Sequence, residues 1–407
     1  MNCRHCNHKL THVFCDLQTC PPSNAMVKPE MINHPETYFP LKVFVCENCW
    51  LVQVDELEKA DAIFNSEYTY FSSYSTSWLK HAKEYTDYMM QRFGYNENSL
   101  VVEVASNDGY LLQYFKEKNI PVLGVEPTAN TAEAAQERGV ESIVDFFGSR
   151  LAGDKLEGKA DLILGNNVLA HVPDINDFVK GIKIALKPNG VNTFEFPHLL
   201  QLVAKNQFDT IYHEHFSYLS LTTLISVFEK QGLEIFDVQQ LTTHGGSLRI
   251  FTKHKEDKGK AIEPTVANML QKEKEAGITT LEYYQGFQAK VDKIKYDFIE
   301  FLIQQKRAGK KVIGYGAAAK GNTLLNYSGI KGNDMLQFVV DASPFKQNKL
   351  LPGSRIPVVG KEEIEKNKPD YIIIFPWNLQ TEIAGQLDYI KNWGAKFVIA
   401  IPELTIF

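Results

Sequence analysis

No cysteine occurs beyond Cys49; all six lie in the first fifty of 407 residues. That excludes a disulfide framework for the whole chain and makes a reducing cytoplasm the expected compartment. No apolar run approaches the ~20 residues of a membrane span. The opening MNCRHCNHKL has no apolar core of a secretory signal. Positive charge is not in excess: the net charge of −6 argues against a general nucleic-acid or anionic-membrane surface. Neither G-x-G-x-x-G nor HExxH occurs, and there is no short-period repeat or low-complexity segment. With 44% hydrophobic and 23% charged residues, the composition is that of an ordinary globular chain with ample core. Its length suits two or three domains.

The early cysteines are ordered. Cys3-x-x-Cys6 and Cys46-x-x-Cys49 are two knuckles separated by a long polar insert that carries Cys15 and Cys20. Two such knuckles can set four thiolates tetrahedrally about Zn²⁺, in a closed site that holds a fold together and does no chemistry. His5, His8 and His12 read as a solvated loop. Cys15 and Cys20 read as spare thiols, one of which could exchange into the site. Tyr68, Tyr70, Phe71, Tyr74 and Trp78 follow among serines. Such aromatics pack between domains or wall a pocket; Tyr70 is the one marked for a substrate.

The stretch Leu100–Phe115, LVVEVASNDGYLLQYF, is strand, tight turn and helix. From residue 96 to about 250, strands and helices alternate, which implies a mainly parallel, doubly wound sheet. Ligands bind beyond the C-terminal ends of such strands. Those ends carry Asn107 and Asp108, Glu126, Asp145, Asn167 with His171, and Glu195. With Ala105 and Ser106 in place of glycine, the turn suits a pyrophosphate poorly. An adenosyl group on a methionine needs the glycines less, so the turn leans toward S-adenosylmethionine and away from NAD. Glu126, about 20 residues on, is placed for ribose hydroxyls. Taken alone, the turn fits a plain α/β connection equally well.

Asp209–Ser220, DTIYHEHFSYLS, sets Tyr212, His213, Glu214 and His215 side by side. If extended, Tyr212 and Glu214 share one face and the two histidines the other. Without HExxH spacing a metal is disfavoured. General acid–base chemistry remains, or a polar loop with one buried histidine. His244-Gly-Gly-Ser-Leu-Arg249 adds a histidine, a flexible turn and a cation for an anionic substrate group or an internal carboxylate. Residues 253–275 read as a solvated connector, and Leu281 to Leu302 as a long amphipathic helix between domains. From residue 310 a second βαβ unit begins. Gly314, Gly316 and Lys320 form a weakened phosphate cradle. Pro376, Trp377 and Asn378 follow a later strand and could floor the same cleft.

The knuckles, EVASNDGYLL, GNNVLAHV, EFPHLL, FDTIYHEHFSYLS, HGGSLRIF and GYGAAAKGNTLLN occur in that order. Over nearly its whole length the chain resembles the S-adenosylmethionine-dependent sugar C-methyltransferases, which act on nucleotide-linked 4-keto deoxysugars. The resemblance implies an α/β protein of three parts. These are a small zinc-binding domain over 1–65, a doubly wound methyltransferase domain over 66–280, and a C-terminal Rossmann-like nucleotide-sugar-binding domain over 281–407. Substrate would lie between the last two. By the same resemblance Cys3, Cys6, Cys46 and Cys49 are zinc ligands, and Glu103, Asn107, Asp108 and Glu126 serve the methyl donor. Tyr212, Glu214 and His215 form the catalytic segment, with Asn167 and His171 beside the sugar. The turns and strand ends add Ala105, Gly109, Asp145 and Asn167 at the donor. They add Tyr70, Glu195, His244, Arg249, Lys320 and Asn322 at the substrate. Two departures stand out: Ala105 where glycine is common, and Asn192 inside a strand, which has no sequence-level account.

The expected reaction is C-methylation beside the ketone, at C3 rather than C5. His215 is the base with Glu214 orienting or charging it, and Tyr212 is the alternative base. Asn167, His171 or His244 would hold the oxyanion, and Lys320 the diphosphate. The expected cofactors are S-adenosylmethionine and a structural zinc. The protein is expected to be a cytoplasmic monomer with no nucleic-acid or membrane partner. Competing expectations are O- or N-methylation at the same donor site, and a non-catalytic zinc-containing scaffold.

Overall fold

The computed structural model describes residues 1–57, 59–64, 68 and 70–407. The expected domain boundary at residues 65 and 66 lies outside the described residues. Strands β1 (His12–Cys20), β2 (Phe39–Val45) and β3 (Val52–Val54) form an antiparallel sheet. Leu41, Val43 and Val45 of β2 are buried in alternation, the pattern of a strand with one face covered. The fourth strand comes from far along the chain: Ser217–Tyr218, just past the imidazole-rich segment, pairs with β3. Cys15 and Cys20 point into a core shared with the C-terminal domain. Burial pushes both thiols up, Cys20 to about 12. Phe14 stacks on Phe287 at 4.6 Å. His8 and His12 are exposed on Glu47, but His5 is buried between Asn176 and Ser226 of the central domain. The N-terminal domain is thus a bracket that grips both larger units.

The central strands are β4 (Val101–Val104), β5 (Val122–Val125), β6 (Ser142–Ile143), β7 (Ala160–Asn166) and β8 (Leu186–Pro197). With β9 assigned to Ser217–Tyr218, β10 (Leu233–Leu241) and β11 (Ser247–His254) complete them. The order is β10-β11-β8-β7-β4-β5-β6, and only β11 runs against its neighbours. All four residues of β4 are buried, as helices on both faces require. The winding reverses beside β4, where such a sheet opens a crevice. Asn192 now has its reason. From β8 its amide donates to the Ile163 carbonyl of β7 (3.1 Å) and accepts from the Thr252 hydroxyl of β11 (2.9 Å).

The expected solvated connector instead folds as a helix over Pro264–Ala276. Its Glu273 is buried and accepts from the backbone N–H of Leu221 and Thr222, at 2.7 Å each. The connecting helix runs Phe287–Arg307. Beyond it, β12 (Val312–Tyr315), β13 (Val339–Val340), β14 (Val358–Val359), β15 (Tyr371–Ile374), β16 (Lys396–Ile399) and β17 (Thr405–Ile406) make a second sheet. Its order is β14-β13-β12-β15-β16-β17, parallel except for β17. One hydrophobic core runs from the N-terminal sheet through Leu199–Tyr218 into this second sheet. The imidazole-rich segment therefore lies in the seam of all three parts. Among the described residues no helix is long and apolar enough to cross a membrane.

Candidate active site

Past β4 the chain turns sharply: Ala105, Asn107 and Gly109 have φ of 58°, 49° and 73°. Only glycine enters that region without strain. Ala105 is held there by its N–H bond to the Val125 carbonyl at 2.8 Å. Glu126, at the end of β5, accepts from the backbone N–H of Asn107 (2.8 Å) and Thr128 (2.9 Å). Asn107 donates to the Tyr70 carbonyl (3.1 Å) and accepts the Ser72 N–H (2.9 Å). Asp108 pairs with Arg138 at 3.1 Å and accepts from the Ser73 hydroxyl. Residues Tyr70 to Ser73 are thus strapped over the turn.

The strap leaves buried groups unsatisfied. Ser106 Oγ and Asp108 Oδ1 are buried without a hydrogen bond among the described residues, and the buried Glu103 carboxyl and Asn166 amide share the Tyr110 hydroxyl, with the Leu112 backbone also at Glu103. Burial pushes the Glu103 carboxyl well above its usual range. Buried polar groups stay unpaired only where something else completes them. An amino-acid-bearing nucleoside, with its ammonium and hydroxyls, suits this set, so the residues fit S-adenosylmethionine. Asp145 lies past β6 at the sheet edge, half-buried and paired with Arg150 at 2.6 Å.

The 209–220 segment is not extended where it matters. Phe208–Thr210 is a 3₁₀ turn, and the His215 N–H closes a second turn on the Tyr212 carbonyl at 2.9 Å. Tyr212 and His215 therefore face each other, with ring centroids 4.0 Å apart. His213 and Glu214 are thrown toward the N-terminal domain. His213 Nε2 lies 3.2 Å from the Pro40 carbonyl, and the Asn24 amide donates to both Glu214 oxygens at 2.8 and 2.9 Å. Glu214 is not the group that orients His215. The Thr210 carbonyl is, accepting from Nδ1 at 2.8 Å. Nδ1 must carry the proton to meet a carbonyl, so Nε2 keeps the lone pair.

His171 stands edge-on to His215 at 4.6 Å. The Asn167 side chain meets His244 Nε2 at 2.8 Å. Burial pushes His171 and His244 each down to about 4, and His215 well below the ordinary imidazole value. All three rings are therefore neutral near pH 7. Lys320, from the C-terminal domain, adds to the downward push on His215 and His244.

The Sγ atoms of Cys3, Cys6, Cys46 and Cys49 lie within 4.8 Å of one another. Thiolates about 2.3 Å from a tetrahedral Zn²⁺ stand about 3.8 Å apart, so the cluster fits a closed zinc site.

Three family models match in chain order. They are a zinc binding domain over residues 3–64, a methyltransferase domain over 78–238, and a C-methyltransferase C-terminal domain over 242–402. Over 405 residues the chain is 35% identical to the C-methyltransferase NovU of Streptomyces niveus, covering 98% of this chain and 95% of that one. The chain belongs to this C-methyltransferase family. It is S-adenosylmethionine-dependent, and the O- and N-transfer and scaffold expectations give way. Among solved structures, PH0226 of Pyrococcus horikoshii OT3 is 16% identical, covering 46% of this chain and 95% of that one, with a TM-score of 0.38. An S-adenosylmethionine dependent methyltransferase from Mesorhizobium loti is 16% identical, covering 43% and 100%, with a TM-score of 0.35.

Other residues of this C-methyltransferase stand differently from expectation. Glu195 and Arg249 pair with each other at 2.6 Å, and His81 and Thr243 complete the carboxylate at 2.8 and 2.7 Å. Burial pushes Glu195 up, but His81 and Arg249 outweigh it and hold it down to about 2. Arg249 thus serves an internal carboxylate, and the network ties Thr243, beside His244, to the end of β8. The C-terminal turn is filled by its own side chains. Asp341 accepts the N–H of Ala317 (2.7 Å) and Ser343 (2.8 Å), and Lys346 donates to the Ala317 carbonyl (2.8 Å). Lys320 donates to Asn378 Oδ1 at 2.9 Å and lies 4.4 Å over the Trp377 ring. Asn322, buried on the same helix, accepts from Asn326 at 3.1 Å. Sequence reasoning missed Thr210, which acts through a carbonyl that no side chain advertises. It also missed His81, and Asp209, whose buried carboxyl is pushed up to about 6.

Proposed function

We propose that this C-methyltransferase methylates the carbon beside the ketone, C3 in preference to C5, of a nucleotide-linked 4-keto deoxysugar held between the central and C-terminal domains. The carrying observation is His215: Thr210 engages its Nδ1, which leaves a neutral Nε2 as a base in the seam. A ketone acidifies the hydrogen on its neighbouring carbon, and a base that removes it leaves an enolate. Methylation at carbon needs that step; methylation of a hydroxyl or amine does not. Nε2 takes the proton. The Thr210 carbonyl and the developing enolate both stabilise the imidazolium, offsetting the burial that lowers its resting pKa. Tyr212, ring to ring with His215, is the second candidate base.

We assign Asn167, His171 and His244, all neutral, to the enolate oxygen, since preorganised donors of this kind usually contribute most to the rate. Bound S-adenosylmethionine supplies an electrophilic sulfonium methyl group. The four-cysteine zinc supplies structure only. We assign Lys320 to the oxyanion and not to the diphosphate, because Asn378 and Trp377 fix its ammonium where it acts on His215 and His244. Tyr70 and Asn322 remain assigned to the substrate. We further propose that the protein is a cytoplasmic monomer.

Incubation with methyl donor and a panel of nucleotide-linked 4-keto deoxysugars tests this. A one-methyl mass gain with a new carbon–carbon link by carbon-13 NMR supports it. A methyl on oxygen or nitrogen, or no product from any 4-keto sugar, overturns it.

A further inference from the structure

One indole of the C-terminal domain touches three parts of the site. Trp377 Nε1–H donates to Asp209 Oδ2 at 2.7 Å. Its ring carries the Lys320 ammonium at 4.4 Å. Its edge packs on Gly245, where a Cβ would stand 2.3 Å from an indole carbon. Two of these contacts lead directly to a histidine. Asp209 lies in the turn Phe208–Thr210, whose last carbonyl holds His215 Nδ1. Gly245 follows His244, a histidine in the left-handed region at φ 53° that meets Asn167 at 2.8 Å. The two loops are also tied to each other: Gln207 and Lys205 donate to the Gly245 carbonyl at 3.0 and 2.9 Å. Thr323 of the C-terminal domain donates to the Ile211 carbonyl at 2.9 Å. That domain therefore anchors the residues on both sides of Thr210.

We propose that Trp377, through Asp209, is a positioning residue that decides which ring nitrogen of His215 carries the proton, and so links docking of the C-terminal domain to the readiness of the base. This rests on the proposed role of His215. An imidazole with neither nitrogen engaged exchanges between two tautomers, whereas a carbonyl in line with Nδ1 admits only the Nδ1–H form. The direction of the Thr210 carbonyl is set by its turn. The Trp377–Asp209 bond, buried at both ends, holds that turn against the neighbouring domain.

The test is ¹⁵N-histidine NMR of the zinc-loaded, full-length protein, read beside its kinetics. Trp377→Phe keeps a ring and loses the N–H. Asp209→Asn keeps an acceptor for the indole, and Asp209→Leu keeps none. Wild type and Asp209→Asn are expected to show His215 as the Nδ1–H form. Trp377→Phe and Asp209→Leu are expected to show a tautomer mixture and a kcat roughly 10- to 100-fold lower, with KM for the sugar nearly unchanged. An unchanged tautomer in both loss variants overturns the proposal, whatever the rate. A mixed tautomer with full turnover sustains the positioning and removes His215 as the base. Should Trp377→Phe fail to fold, the two Asp209 variants make the same comparison.

Discussion

After β4 and after β12 the chain repeats one local device: a buried strand, a small-residue turn with left-handed backbone, and a helix. The contents of the two turns differ. Among the described residues the first leaves Ser106 Oγ and Asp108 Oδ1 buried without a partner. The second is closed by Asp341 and Lys346, which occupy its N–H and carbonyl groups. Glycine content points the wrong way, since Gly314 and Gly316 belong to the closed turn and Ala105 to the open one. A ligand turn is recognised by what it fails to satisfy internally. The C-terminal unit contributes differently, sending Lys320 and Trp377 toward Asp209 and the seam that holds His215 and His244, apart from both turns.

The largest expected effect tests that separation. His215→Asn should lower kcat by about 10²–10⁴-fold, while calorimetry still finds donor binding. A loss of donor binding would merge seam and turn. A paired experiment follows. Glu103→Gln removes a carboxyl whose burial outweighs its hydrogen bonds to Tyr110 and the Leu112 backbone, so the donor-free protein should melt higher while donor affinity falls about tenfold. Asp341→Asn loosens a satisfied turn and should cost roughly 1–3 kcal/mol of stability with donor affinity intact. Equal signs for the two would erase the distinction.

The seam should also show itself by pH. His171 and His244 are near 4 when folded and ordinarily 6.5. Between those values the unfolded chain binds more protons. Stability is therefore full above pH 6.5 and falls toward pH 4, by up to about 1.4 kcal/mol per unit for each ring. Asp209, raised from 3.8 to about 6, works the other way: its contribution is full below 3.8 and is lost as pH rises through 6. His215, also pushed down, adds to the loss toward acid, and Glu103 and Glu126, also pushed up, add to the gain, so each ring is read as the difference between wild type and His171→Asn or His244→Asn in denaturant titrations at pH 7 and 4.5. A variant that loses as much stability toward acid as wild type would mean a solvated imidazole at that position. The smallest effect is at the open turn. Ala105→Gly should relieve about 1 kcal/mol of left-handed strain, read as a slightly higher melting temperature.

Much of this was legible in the residues because it was local. The apolar run Val101–Val104, the small turn after it and Glu126 at the next strand end announce a buried strand, a tight turn and a polar sheet edge in one short stretch. The two knuckles announce a metal by spacing alone. What escaped was nonlocal or carried by backbone. The strand Ser217–Tyr218 has two residues and a partner far upstream, so no periodicity marks it. The Thr210 carbonyl has no signature in residue type. The helix Pro264–Ala276 hides its single buried carboxylate, Glu273, among solvated charges. The YHEH segment turns where alternation suggested an extended strand, and that turn sends Glu214 to Asn24 and leaves His215 with Tyr212.

The most direct measurement is hydrogen exchange at the substrate carbon. In D₂O, with a nucleotide-linked 4-keto deoxysugar and S-adenosylhomocysteine in place of donor, wild type should place deuterium on the carbon beside the ketone, and His215→Asn should not. Full exchange by His215→Asn, or none by a wild-type enzyme that methylates the same sugar, would contradict the account.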